Sequence, residues 1–228
     1  MSNQSVSGTN RKTQPRTPRS PEAKQRQQDI LRIAMDTFAA RGYHNASLQE
    51  IADLAGLTQA GVLHYFRSKA NLLTSVLDKR DASDIEQLGT ERPRGLAFLR
   101  HLVDTASRNA EREGIVRLYA VLSAESVTDG HPAQEYFRTR YEGLRAMVTE
   151  ALREACELGE IEGDTSVEDT ANAIIAVMDG LQVQWLLAPD RVNMASSTDR
   201  AVTALLAGLA PVRPAAEDAA TGPGRGGA

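Results

Sequence analysis

At 228 residues the chain is long enough for one large domain or two small ones, and 41% hydrophobic with 25% charged residues is the balance of a soluble globular protein. One cysteine, Cys156, excludes an intrachain disulfide, and without a C-x-x-C pair thiolate zinc and thioredoxin-type chemistry are excluded too. The net charge is −4 but unevenly spread: residues 1–80 carry +6 and residues 81–228 carry −10, so a basic front that meets a polyanion sits on an acidic body.

Residues 1–20 are polar, basic and rich in Ser, Thr, Pro and Gln, and are expected to be a disordered tail. No apolar run approaches the length of a membrane span and the N-terminus has no apolar stretch, so a cytoplasmic protein with no membrane partner is expected. A first helix starts after the N-cap Ser20 with Pro21 at its first position, carries the stripe Ile30, Ile33, Ala34, Thr37, Phe38, and ends at Gly42. Ser47 and Glu50 form a capping box for a short second helix with Leu48, Ile51, Ala52 and Ala55 inward, broken by Gly56. Thr58 caps a third that runs to about Phe66, and Ser68 caps a fourth with Leu72, Leu73, Val76 and Leu77.

Longer helices follow at about 94–112, at about 114–127, and from the turn at Asp129-Gly130-His131-Pro132 to Leu158, where Gly159 ends the last of them. Residues 166–188 carry two apolar faces: a seam of Val167, Ala171, Ile174, Met178, Leu181 and Trp185, and a small-residue face of Ala173, Val177 and Gly180. A last helix at about 197–210 offers Val202, Leu205, Leu206 and Leu209. One helix with two apolar faces packs one on its own domain and the other on a partner, which makes Ala173, Val177, Gly180 and the four residues of the last helix the candidate homodimer interface; a monomeric core helix is the alternative. Residues 212–228 are rich in Ala, Pro and Gly and are expected to be a loose tail. No segment shows sustained period-two alternation, so the fold class is all-α.

The segment 48–65 has the parts of a helix-turn-helix. Ala52 is small where two helices cross, Gly56 supplies the turn, and Ile51, Ala55, Leu57 and Val62 hold the apolar offsets. The second of these helices can enter a major groove with its N-terminal residues towards base edges. An ordinary helical hairpin needs the same residues, but the helix before and the capped helix after favour the DNA-binding reading.

Ser47-Leu-Gln-Glu-Ile-Ala-Asp-Leu-Ala-Gly-Leu-Thr-Gln-Ala-Gly-Val-Leu-His-Tyr-Phe-Arg-Ser-Lys-Ala-Asn-Leu-Leu73, preceded by Ala34-Met-Asp-Thr-Phe-Ala-Ala-Arg-Gly-Tyr43, closely resembles the DNA-binding domain of the TetR family of transcriptional regulators. The resemblance covers residues 24–77 at motif level and the rest in layout. It implies a helix-turn-helix domain at 21–67 and a ligand-sensing and dimerisation domain at 68–211. It implies a homodimer on a palindromic double-stranded DNA operator, released by a small-molecule effector. No cofactor and no metal are expected: Glu125 and His131 are close in the chain but no matching ligand set accompanies them, and they are read as capping and solvating a turn. It makes Thr58, Gln59, Ala60 and Gly61 the leading edge of the recognition helix, with Gln59 able to bond adenine bidentately and Thr58 a phosphate or a thymine methyl. His64 and Tyr65 reach phosphates or base edges, or Tyr65 joins the core. Lys69 matches the family's phosphate-contacting lysine, and Ser47 stands at a helix N-terminus that favours phosphate. One departure is Leu63, where many members carry a phosphate-binding tyrosine. The effector cavity implied by the resemblance draws on Phe98, His101, Leu102, Tyr119, Leu122, Phe137, Met147, Met178, Gln182 and Trp185.

Two other functions stay in view. A nonspecific or architectural DNA binder would share the charge pattern. An enzyme is disfavoured, because the four histidines form no H-E-x-x-H and there is no G-x-S-x-G, Walker or Rossmann fingerprint.

Overall fold

Ser20 accepts the Ala23 N–H at 3.2 Å and Pro21 follows it, so the first helix begins as its sequence requires. The structure is a computed structural model that describes residues 20–88, 92–161 and 167–209. The tails expected at 1–20 and 212–228 lie outside the described residues, apart from Ser20. Among the described residues the elements are helices: α1 (Pro21–Asn45), α2 (Leu48–Leu54), α3 (Gln59–Tyr65), α4 (Lys69–Leu88), α5 (Leu96–Asn109), α6 (Glu113–Glu125), α7 (Gln134–Glu157), α8 (Val167–Leu187) and α9 (Met194–Ala207). None is long and apolar enough to cross a membrane.

Two cores organise them. The first gathers Ile30, Ala34 and Phe38 of α1, Ile51 and Ala52 of α2, Val62 of α3, Phe66, and Leu72, Leu73 and Leu77 of α4; Leu118 and Leu122 of α6 and Phe137 of α7 belong to the same cluster. Residues from both sides of the boundary expected at 67/68 therefore share one core. The second core joins α5, α7, α8 and α9 through Phe98, Leu99, Leu152, Ile174 and Val202. Helix α1 runs alongside α6 in the same direction. Its residues 25–35 line one cleft with Arg112 and Ile115, and its end meets Glu125. The N-terminal helices are thus carried along the whole of α6, about 18 Å at 1.5 Å per residue for its 13 residues.

The second core is also pinned by a buried carboxylate. Glu154 of α7 accepts the Gly95 N–H at 3.1 Å and pairs with Arg92 at 2.8 Å and Arg94 at 3.1 Å. Burial works against its ionised form, but the Gly95 amide and the guanidiniums of Arg94 and Arg92 outweigh it and hold its pKa below the usual carboxylate range. A depressed folded pKa means stability that is present above the unfolded value, about 4.3, and lost as pH falls through the folded one. Glu154→Gln should therefore flatten the acid limb of thermal stability. Melts across about pH 3 to 7 check this, and an unchanged limb contradicts it.

Candidate DNA interface and its joint to the helical body

The helix-turn-helix is built by local chemistry. At the end of α2 the chain turns at Gly56, φ 64°, while Leu57 N–H donates to Ala52 O at 2.9 Å and Gly56 N–H to Asp53 O at 3.1 Å. This is a Schellman closure, and it needs glycine at the left-handed position. Thr58 then caps α3, its Oγ1 accepting the Gly61 N–H at 3.1 Å. Ser47 caps α2 likewise through Glu50 N–H at 3.0 Å, and Ser68 caps α4 through Asn71 N–H at 3.0 Å. The Glu50 carboxylate pairs with Arg41 on α1 at 2.7 Å, because a guanidinium offers it a stronger, charge-assisted bond than a neutral amide does.

Val62 and Phe66 are fully buried, each burial contributing about 1.5–3 kcal/mol, and they fix the inner side of α3. The outward side follows from helical spacing: Gln59, Ala60, Leu63 and His64 are exposed together, with Thr58 just ahead of them. Gly61 is half-buried on the flank, and Tyr65 is half-buried and packed on the first core, with its ring edge-on to His64 at 5.5 Å. Sequence reasoning read Leu63 only as a lost phosphate contact. Its exposure on this face makes it an apolar group available to a thymine methyl. The exposed Arg67, at the corner before α4, was also missed. Lys69 is drawn inward: its ammonium donates to His44 O at 3.3 Å and lies 4.4 Å from the centre of the Tyr43 ring. Burial pulls its pKa down while Glu125 pushes it up.

This corner is bolted to the C-terminal end of α6. At Gly42 the backbone takes φ 72° and ψ 174°, a combination essentially confined to glycine, so α1 bends there and winds one further turn instead of ending. Tyr43 N–H donates to Glu125 at 2.6 Å. His131, buried in the α6–α7 turn, stands 3.7 Å from Glu125 through Nε2, accepts the Ala133 N–H at Nδ1, and packs against the rings of Tyr43 and His44 at 5.2 and 5.5 Å. Its pKa is lowered by burial, so it is held neutral.

A second polar cluster ties α4 to the body. Asp81 of α4 accepts from Tyr119 at 3.0 Å, Tyr136 at 2.7 Å and Arg140 at 3.1 Å, and the two tyrosine hydroxyls lie 2.9 Å apart. Burial pushes Tyr119 up to about 12 and Tyr136 higher still, so both stay protonated. Arg140 also lies 4.5 Å from the centre of the Tyr119 ring, and the next residue, Tyr141, donates to Asp179 of α8 at 2.7 Å. Of these only Tyr119 was a sequence candidate.

The ten residues expected to line an effector cavity are divided between the two cores and the surface. Tyr119, Leu122 and Phe137 belong to the first core; Phe98, Leu102 and Met178 belong to the second. His101, Gln182 and Trp185 are half-buried, and Met147 is exposed on α7. Helical stripes identify buried sides without saying which neighbour each side meets. The expected dimer residues divide as well. Ala173, Val177 and Gly180 are partly exposed on α8, and Leu205 and Leu206 are half-buried. Val202 and Leu209 are 4% and 6% exposed inside the second core of their own protomer, which corrects the expectation that they face a partner. The exposed apolar stripe on α8 also includes Ala176, Val183 and Leu187, which the sequence reading left out.

Residues 30–76 match the family of bacterial regulatory proteins of the tetR type, and residues 94–211, more than half of the chain, match the C-terminal domain of BetI-type transcriptional repressors. The chain belongs to the TetR family. It is a DNA-binding transcriptional regulator, all-α, with the helix-turn-helix at its N-terminal end. A probable HTH-type transcriptional regulator, ArpR, of Pseudomonas putida is 27% identical over 194 residues, covering 78% of this chain and 89% of that protein. The fold is shared with the transcriptional regulator FadR of Bacillus subtilis, solved with stearoyl-CoA (TM-score 0.68, 18% identity, 79% of this chain and 98% of that one). It is shared equally with a SmeT–triclosan complex (TM-score 0.69, 17% identity, 82% of this chain and 93% of that one). TetR-family regulators bind DNA and small-molecule effectors and act as dimers, and the relatives matched here are regulators rather than enzymes.

Proposed function

We propose that this regulator is a homodimeric, effector-released repressor that reads a two-fold-symmetric operator with the outward face of α3. The observation that carries the reading is the joint exposure of Gln59, Ala60, Leu63 and His64 on one side of a helix whose other side is locked by Val62 and Phe66. On this reading Gln59 bonds a base edge, Leu63 and Ala60 meet thymine methyls, and Thr58 combines capping with a phosphate contact through its own hydroxyl hydrogen. Lys69, with one of its three ammonium hydrogens committed to His44, offers the others to a phosphate, and Ser47 and His64 flank the same strand. Gly61 and the half-buried Tyr65 set how closely the helix approaches.

Dimerisation is assigned to the small-residue side of α8, where Ala173, Ala176, Val177 and Gly180 allow close approach and Val183 and Leu187 extend the apolar stripe, with Leu205 and Leu206 beside them. Repression is supported by the BetI-type repressor match, and a small-molecule effector by stearoyl-CoA and triclosan in the structural relatives. The effector acts by favouring another arrangement of α6 against α1. Coupling of this kind is typically about 1–3 kcal/mol.

The roles separate by mutation. Gln59→Ala should cost about 1–3 kcal/mol on the operator and narrow the gap to a mismatched site, whereas Lys69→Ala should weaken every duplex alike and lower the salt slope by about one. Fluorescence anisotropy on operator and scrambled duplexes at several salt concentrations reads both. Parallel losses on both duplexes for Gln59→Ala would assign that residue to the backbone and remove it from base readout.

A further inference from the structure

A cleft of about 360 Å³ opens where α1, α4 and α6 meet, on the half of α1 far from Gly42. That is within the roughly 300–1,000 Å³ usual for small-molecule sites. It shares no residue with the outward face of α3, with the α8 stripe, or with the ten candidates for an effector cavity. Among the described residues its lining carries four cations, Arg32 of α1, Lys79 and Arg80 of α4, and Arg112 just before α6, of which Arg80 and Arg112 also engage other partners, and one carboxylate, Asp29. That carboxylate already accepts from Gln25 at 3.2 Å. Arg80 is only 7% exposed, so its guanidinium is held in the wall where water screens it poorly. The rest of the lining is the two glutamines Gln25 and Gln28 and an apolar part, Leu31, Met35, Val76 and Ile115. A positive rim over an apolar floor selects a ligand with both properties.

We propose that this cleft binds a small amphiphilic anion, a carboxylate or phosphate head on a short aliphatic or aromatic body. The head sits among Arg32, Lys79 and Arg112, and the body lies on Met35, Val76 and Ile115. The volume equals about twelve waters at roughly 30 Å³ each, which suits a chain of about eight carbons with its head group. Because the walls come from α1 on one side and α6 on the other, an occupant touches both parts of the molecule whose relative placement positions α3. The site goes beyond the operator and effector reading, and its test uses no DNA.

Isothermal titration of octanoate and of octyl phosphate into the full chain measures it, with octanol and inorganic phosphate as controls. One site per protomer is expected for at least one of the two anions, and the tighter one identifies the head group. Octanol and inorganic phosphate should bind at least tenfold more weakly, because each lacks half of the recognition. Arg32 and Lys79 are exposed, so the double variant Arg32→Gln/Lys79→Gln should melt as the parent does while losing at least tenfold in affinity. Arg112→Gln should lose affinity in the same direction. Absence of saturable binding by both anions overturns the proposal. So does octanol binding as well as octanoate, and so does affinity unchanged in the variants, which would put the ligand elsewhere in the protein.

Discussion

Replacing Gly42 by alanine should cost the protein about 3–4 kcal/mol and sharply reduce its affinity for DNA. Two effects add. The backbone at φ 72° and ψ 174° lies where a side chain costs about 1–3 kcal/mol. A methyl group there would also fall within 2.8 Å of Glu125 Cδ and closer still to its Oε1, so the carboxylate must leave. When it leaves, the charge-assisted bond to Tyr43 N–H is lost, a contribution of about 1.5–3 kcal/mol. Displacement also removes the anion that faces Lys69 and His131. The corner that carries α2 and α3 would then be held to α6 by packing alone. Urea unfolding of Gly42→Ala, Glu125→Ala and the double variant forms a cycle. The account expects the double variant to recover the clash while keeping the backbone cost. Strict additivity of the two changes would mean that Glu125 and Gly42 do not meet.

Asp81→Ala should destabilise by about 2–4 kcal/mol, because two tyrosine hydroxyls and a guanidinium lose a shared acceptor and an unsatisfied buried polar group costs about 1–3 kcal/mol. Tyr119 and Tyr136 cannot compensate by ionising, since burial keeps both protonated. Asp81→Asn retains an acceptor oxygen without the charge and should fall between parent and alanine variant. Chemical denaturation orders the three proteins. A loss below about 0.5 kcal/mol for Asp81→Ala, the range of ordinary surface substitutions, would reduce the cluster to surface decoration. The functional consequence follows from position. Asp81 lies on the helix that leaves the helix-turn-helix, and its partners lie on α6 and α7, so the cluster fixes how α4 is set against the body.

The parts legible in the sequence are those decided within a few residues. Caps at Ser20, Ser47, Thr58 and Ser68 and the turn at Gly56 each need only a side-chain oxygen or a glycine three or four positions from its partner. The α3 side chains were legible because the motif fixes their order. The joint was not. Tyr43 and Glu125 are 82 residues apart, and a glutamate at the end of a helix reads as surface charge. Asp81 gave no local signal either, since its partners lie 38 to 59 residues on. Leu63 was legible only as a departure from the motif's tyrosine, because a comparison of residue types shows which bond is lost and not that the apolar side chain stands outward. Val202 and Leu209 show the limit of stripe reasoning. A helix with an apolar side must bury it, but the pattern does not say whether its own protomer or a partner does so, and here its own protomer does.

The most direct test of the central claim is selection of duplexes from a random-sequence pool by the full-length protein at physiological salt, with affinities of the enriched and starting pools read by fluorescence anisotropy. The account predicts enrichment of one two-fold-symmetric site bound about 10³-fold or more above the pool, with that preference reduced in Gln59→Ala. A pool that stays random, with equal affinity before and after selection, would contradict operator reading by α3 and leave a protein that binds duplex DNA for its charge alone.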